Sequence, residues 1–259
     1  MNNPILLADI GNTTMKLGIA NESNIAFCIS LPTKSLYTAD SLGLTLIQFL
    51  SFHHIENIDT VSLCSVVPEL AKIFSEACQK YLHSTPKAFP ADFPIPLNNQ
   101  YANPQEVGAD RLMGAYASRM LYPDAKSIIC IDYGTATTFD CIVDMNYVGG
   151  LICPGLYSSL TALAGGTAKL PHISLNFDKD VPLIGKNTVT SMNHGFIFSF
   201  VALTDGLCEK LGSQLPAPLK IIATGGYAKE ISKLSNKINV IQQDLILEGL
   251  RLASCSFLA

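Results

Sequence analysis

Two segments of the chain carry the residue types and spacing of a phosphate-handling turn. Ile5-Leu-Leu-Ala-Asp9-Ile10-Gly11-Asn12-Thr13-Thr14 returns 123 residues later as Ile128-Ile-Cys-Ile-Asp132-Tyr-Gly134-Thr135-Ala-Thr137, with Asp, Gly and Thr in matching places. A glycine just after a strand lets the backbone turn sharply and brings N–H groups up to an anion. Thr13 and Thr14 add hydroxyl donors, and Lys16 adds a positive charge on the far side of the hairpin. A carboxylate at the strand end repels phosphate directly. Asp9 therefore reads as a ligand for hydrated Mg²⁺, which is held by one or two carboxylates plus phosphate oxygens. In the second copy Thr135 would donate to a phosphate, and Asp132 would hold a second cation. One such turn alone has the composition of an ordinary hairpin. Two at matched positions favour a two-sided phosphate clamp, and a phosphotransferase is the leading expectation.

Two further segments bear on the chemistry. Gly108-Ala109-Asp110-Arg111 falls early in an expected helix, behind a polar loop. Asp110 has the chemistry of a general base for a substrate hydroxyl. The planar fork of Arg111 suits a substrate carboxylate. Thr224-Gly225-Gly226 closes a buried strand and opens a helix, and its paired glycines permit close packing against a base or ribose. The spacing is not G-x-G-x-x-G, so a dinucleotide-binding turn is unsupported, and no G-x-x-x-x-G-K-[ST] loop or G-x-S-x-G elbow occurs. The histidines at 53, 54, 83, 172 and 194 show no metal-ligand spacing.

The elements that must position these residues follow from hydrophobic patterning. Strands are expected at Ile5–Ile10, Met15–Ala20, Ile25–Ser30 and Thr60–Val66, with a helical stripe through Leu42, Leu46, Phe49 and Leu50. Pro68 suits a first helical turn, followed by Leu70, Ile73, Phe74, Ala77 and Tyr81 at helical spacing. Phe89–Pro104 reads as a long loop, and a helix is expected from about Pro104 to Leu121. The scheme restarts with strands at Ser127–Asp132, Thr137–Val143 and Tyr147–Ile152. A long helix with Thr188 as its N-cap, a strand at Lys220–Ala223 and a last helix over about Asp244–Ser254 complete it. This repeated order predicts an α/β architecture of two related halves, 1–122 and 123–259, with ligands held between them.

Composition narrows the class. Apolar residues make up 48% of the 259 residues and charged residues 15%, which favours an ordered, well-cored protein. The net charge of −4 comes without a block of like charges, so no nucleic-acid partner is expected. Eight scattered cysteines show no Cys-x-x-Cys and no zinc spacing, which suits free thiols in a reducing compartment. No apolar run approaches the ~20 residues of a membrane span, and no secretory signal is visible. A cytoplasmic protein without a membrane partner is expected.

Several motifs together resemble one family. They are Asp9-Ile-Gly-Asn-Thr13, Asn103-Pro-Gln-Glu-Val-Gly-Ala-Asp-Arg111, Asp132-Tyr-Gly-Thr-Ala-Thr-Thr-Phe-Asp140, Gly149-Gly-Leu-Ile-Cys-Pro-Gly-Leu156, Thr167-Ala-Lys-Leu-Pro171, Gly185-Lys-Asn-Thr-Val-Thr-Ser-Met192 and Ala223-Thr-Gly-Gly226. In these the chain is similar to the type III pantothenate kinases of the acetate and sugar kinase/Hsc70/actin superfamily. The resemblance implies two RNase H-like (actin-like ATPase) half-domains, each a mixed sheet with flanking helices, in a homodimer. It implies ATP-dependent phosphorylation of the primary hydroxyl of pantothenate, the first step toward coenzyme A. Mg²⁺ accompanies ATP in that family, and K⁺ or NH₄⁺ is required besides.

By matching position, Asp9, Ile10, Gly11, Asn12, Thr13, Thr14, Met15 and Lys16 would bind ATP together with Thr135, Gly225 and Gly226. Asp110 would be the base. Tyr101, Gly108, Ala109, Asp110, Arg111 and Thr188 would hold pantothenate, and Asp132 would hold the monovalent cation. Two other readings remain open at this point. One is a kinase of the same superfamily for another small alcohol, and the other is a non-catalytic nucleotide-binding regulator acting as a transcription accessory factor.

Overall fold

The computed structural model describes residues 3–177 and 182–257. They form two compact units: Met1–Met120 with Asp244–Ala259, and Leu121–Gln243.

The first unit is a mixed sheet of β1 (Ile5–Ile10), β2 (Thr14–Ala20), β3 (Ile25–Pro32), β4 (Thr60–Ser65) and β5 (Lys87–Phe89), in the order β3-β2-β1-β4-β5. The first three strands form an antiparallel meander, while β4 and β5 run parallel to β1. Strand alternation sorts β1 onto two faces. Leu6, Ala8 and Ile10 join the core under α1 (Ala39–Phe52) and α2 (Pro68–Leu82). Ile5 and Leu7 face the opposite layer, where Met113 and Tyr116 of α3 (Ala109–Leu121) pack with Leu247, Leu250 and Ala253 of the last helix. Pro68 opens α2 as expected. Thr38 caps α1 by accepting the Ser41 N–H, and Ser41 reciprocates.

The second unit repeats the wiring. Strands β7 (Ser127–Tyr133), β8 (Ala136–Val143) and β9 (Asn146–Pro154) form the meander, and β10 (Leu219–Gly225) and β11 (Val240–Ile241) add parallel strands beyond β7. One face buries Ile129, Ile131, Tyr133, Phe139, Ile221 and Ala223 against α4 (Leu156–Gly165), α5 (Thr188–Gly212) and α6 (Ala228–Ser232). Asp132, Thr138 and Thr224 occupy the other face, in register with one another. The two-unit mixed α/β architecture expected from the sequence is therefore present. No helix among the described residues is long and apolar enough to cross a membrane.

The structure differs from expectation at four places. Asp244–Ala259 belongs to the first unit, not to a half spanning 123–259, because the final helix α7 (Leu245–Phe257) packs on β1, β2 and β4. The helix expected from Pro104 breaks into a short 3₁₀ turn (Pro104–Glu106) and α3, with Val107 extended between them. Asn187, not Thr188, is the N-cap of α5: its carboxamide oxygen accepts the Thr190 N–H at 2.9 Å, which makes Thr188 the first helical residue. Helix α4 and the short strands β5, β6 (Asn98–Asn99) and β11 lie where no element was expected.

Candidate active site

In the first unit the site is built at the carboxyl end of β1. Asp9 shares the face of Leu7 and points into the α3–α7 layer. It lies directly opposite Lys16 on β2 and Cys64 on β4. Beyond it the chain turns tightly, with the Gly11 N–H donating to the Thr14 carbonyl at 3.0 Å. Thr33 braces the turn from outside: its hydroxyl donates to the Gly11 carbonyl at 2.7 Å and its N–H to the Thr13 carbonyl at 2.9 Å. Ile10 and Met15 are buried on the other face and anchor the hairpin, while Asn12, Thr13 and Thr14 are exposed at its tip. The tip thus presents polar groups from a rigid base.

The start of α3 comes to the same place. Val66 extends β4 and donates its N–H to the Ile10 carbonyl at 3.1 Å, and a side chain on Gly108 would meet Val66. A Cβ there would also overlap Asp110 Oδ1. The missing side chain is what lets the Asp110 carboxylate fold back over the helix start, where Oδ1 accepts the Arg111 N–H at 2.8 Å. An acidic group in a first turn is favoured by the helix dipole. Asp9 and Asp110 both act on one sulfur. Burial pushes the Cys64 thiol well above its ordinary pKa, and the two carboxylates push it further. Asp9 is also the direct neighbour of Cys64 across the β1–β4 pairing.

Lys16 is held from a third side. Its ammonium lies 3.2 Å from Oδ1 of Asp244, the residue that leads into α7. Sequence reading gave Asp244 no role, although an Asp ahead of an apolar helical stripe is a recognisable N-terminal signal. Tyr101 is half-buried in a loop pinned by Asn99, which accepts the Tyr101 N–H at 3.1 Å and donates to the Pro104 carbonyl at 3.0 Å.

In the second unit the matching turn is closed by the Gly134 N–H donating to the Ala136 carbonyl at 3.0 Å. Gly225 has φ +91°, and a Cβ there would overlap Asp132 Oδ1 and lie 2.7 Å from the Tyr133 backbone. Gly226 donates its N–H to the Tyr133 carbonyl at 3.1 Å. Asp132, Gly134, Gly225 and Gly226 thus form one cluster, with Thr135 exposed at its edge. Two supports of Thr135 escaped the sequence reading. Ser158 on α4 donates to the Thr135 carbonyl at 2.8 Å, and Gly155 sits so close that a Cβ would collide with that oxygen. A glycine directly after a strand, as in Cys153-Pro-Gly155, is the signal that marked the other two turns.

Thr188 lines a groove of about 560 Å³ together with Leu163, Leu170, Met192 and Phe196. Helix α4 reaches both features, with Ser158 on the Thr135 turn and Leu163 on the groove.

Among the described residues, no three His, Cys, Asp or Glu side chains gather as a metal-ligand set. The bare Cα of Gly225 leaves room for the Asp132 carboxylate and the Tyr133 backbone to approach it closely.

Comparison with known proteins identifies the family. Residues 5–210 match the family model for type III pantothenate kinase. The chain is 48% identical over 255 residues to the type III pantothenate kinase of Nitratidesulfovibrio vulgaris (strain Miyazaki F), covering 97% of both. It is 46% identical over 257 residues to that of Lawsonia intracellularis, covering 97% of this chain and 96% of the relative. Among solved structures, a ROK family glucokinase from Streptomyces griseus in complex with glucose and AMPPNP aligns with a TM-score of 0.51 at 13% identity, covering 98% and 100% of the two chains. The activator of 2-hydroxyisocaproyl-CoA dehydratase from Clostridium difficile with bound ADPNP aligns at 0.51 and 12% identity, covering 96% and 92%. These structural likenesses establish the fold. With a family model matched over most of its length and relatives nearly half identical from end to end, the chain belongs to the type III pantothenate kinase family.

Proposed function

We propose that the protein transfers the γ-phosphoryl group of ATP to the primary hydroxyl of pantothenate, giving 4'-phosphopantothenate and ADP, and that the residues above do so in these roles. The Asp110 carboxylate takes the hydroxyl proton as the oxygen forms its bond to the γ-phosphorus. The bond from that phosphorus to the β,γ-bridging oxygen breaks, and ADP carries the electron pair away. Arg111 pairs with the pantothenate carboxylate, and Tyr101, Gly108, Ala109 and Thr188 shape the rest of that pocket. The Gly11–Thr14 turn, Lys16, Thr135, Gly225 and Gly226 hold the nucleotide.

Asp9 would hold Mg²⁺ through water, and Asp132 would hold K⁺ or NH₄⁺. Bound there, the cations supply positive charge against the spreading charge of the transferring group. Phosphoryl transfer asks mainly for positioning and electrostatic stabilisation, and hydroxyls, N–H groups and Lys16 are suited to both. The protein acts as a homodimer in the cytoplasm.

The observation that carries this reading is the 48% identity to a type III pantothenate kinase over 97% of both chains, with Asp9 at the end of β1 before the Gly11–Thr14 turn and Asp110 in the first turn of α3. The test is ADP release from the purified protein, with and without pantothenate, in Na⁺ or K⁺. Release that depends on both pantothenate and K⁺ is expected. ATP binding without turnover, at saturating pantothenate and K⁺, would leave a nucleotide-binding regulator instead.

A further inference from the structure

Lys16 emerges from β2 on the same face as Asp9, its directly opposed partner on β1. A lysine ammonium sits on a long, freely rotating stem, and holding it in one place costs side-chain entropy. Here the ammonium is fixed 3.2 Å from Asp244 Oδ1, with about a quarter of the lysine and 38% of the aspartate side chain exposed. Asp244 is itself anchored, because its carbonyl accepts the Glu248 N–H at 2.9 Å and so begins α7. That helix is bound to the sheet by Leu247, which packs over Gly18, two residues along from Lys16. Cys28, opposite Gly18 on β3, senses both charges: its thiol is raised to about 11 by burial and Asp244, against an opposing pull from Lys16.

We infer that Asp244 is a positioning residue for nucleotide binding, holding the Lys16 ammonium beside the Gly11–Thr14 turn so that it meets the phosphates already oriented. This rests on the assignment of Lys16 to ATP. The carboxylate need not touch the nucleotide. Its effect passes through one ion pair, on a helix start locked to the sheet.

Substitutions separate this role from helix capping. Asparagine caps a helix as well as aspartate does but carries no charge. Asp244→Asn should therefore leave the thermal midpoint unchanged and raise the KM for ATP about fivefold, the scale of a part-exposed ion pair. The kcat and the KM for pantothenate should stay within about twofold, and Asp244→Glu should recover much of the loss. In a Lys16→Met background, Asp244→Asn should add nothing further, because the pair is already broken.

A KM for ATP that stays at the parental value in Asp244→Asn, or fully additive effects in the double variant, would overturn the inference while leaving Lys16 at the phosphates. An unchanged KM in Lys16→Met alone would overturn both. Loss of thermal stability in Asp244→Asn with no change in KM would make the residue a helix cap only.

Discussion

The carboxylate of Asp132 lies where a side chain on Gly225 would have to go. Gly225 ends β10 and Asp132 is the last residue but one of the adjacent parallel strand β7, one register step away, and Gly225, at positive φ, brings its bare Cα close to Oδ1. Gly225→Ala therefore meets strain from the backbone and overlap from Asp132 together. We expect a loss of roughly 1–3 kcal/mol in unfolding free energy, seen as a lower midpoint in chemical denaturation. If Asp132 holds the monovalent cation as proposed, the K⁺ dependence of turnover should weaken in the same variant, because the carboxylate must move aside.

Asp110→Asn should lower kcat by about 10²–10⁴-fold while nucleotide affinity stays within about twofold. The amide keeps an oxygen that can accept the Arg111 N–H but cannot take a proton at neutral pH. Calorimetric titration with a non-hydrolysable ATP analogue, alongside a coupled ADP assay, separates the two effects. Turnover near the parental rate would remove Asp110 from its role as base.

Thr135→Val keeps the shape of the side chain and deletes its hydroxyl. Ser158 and Gly155 hold the Thr135 main chain, so the turn itself should persist. One lost hydrogen bond of ~1 kcal/mol corresponds to about a fivefold rise in the KM for ATP, with kcat little changed.

Cys28 offers a pH-dependent probe of the Lys16 ion pair. Burial and the Asp244 charge both disfavour the thiolate, so the pKa rises from 9.0 to about 11. Only the thiolate reacts with iodoacetamide. Labelling at Cys28, followed by peptide mass spectrometry, should be slow at pH 8 and climb about tenfold per pH unit until the pKa is passed. Asp244→Asn removes one of the charges that raises the pKa and should move the curve to lower pH, whereas Lys16→Met should move it higher.

Leu250 is fully buried in the layer between α7 and the first sheet. Leu250→Ala should destabilise the protein by about 2–5 kcal/mol, measured by denaturant unfolding. If it had no effect, α7 would not be part of that core.

The parts of the site that were legible in the sequence are those set by local chemistry. The two Asp-x-Gly turns follow apolar runs, and each run became a buried first strand with an antiparallel partner. Pro68 marked a helix start because its fixed φ and missing N–H suit that position. Local patterning misled at Asn187 and Thr188, where two capping-competent residues adjoin and only geometry decides between them. Helix α4 was hidden by its serine, threonine and glycine content, which gives a weak apolar stripe.

The placement of α7 was not legible at all. Its stripe through Leu247 and Leu250 predicts a helix but does not say which sheet will bury it, because that depends on docking across more than 180 residues of chain. For the same reason Asp244 was invisible as a partner of Lys16, 228 positions away.

That return of α7 has a consequence for how the protein is made. The second unit is one continuous stretch, Leu121–Gln243, whereas the first is assembled from two stretches separated by it. On the ribosome the chain emerges from its N-terminus, so β1, β2 and β4 appear long before the helix that covers Leu7, Ala20 and Cys64. During synthesis that face of the earliest sheet has only α3 and the Phe89–Phe93 segment to cover it while the later unit forms. That face is completed only when the segment bearing Leu247 and Leu250 has been made.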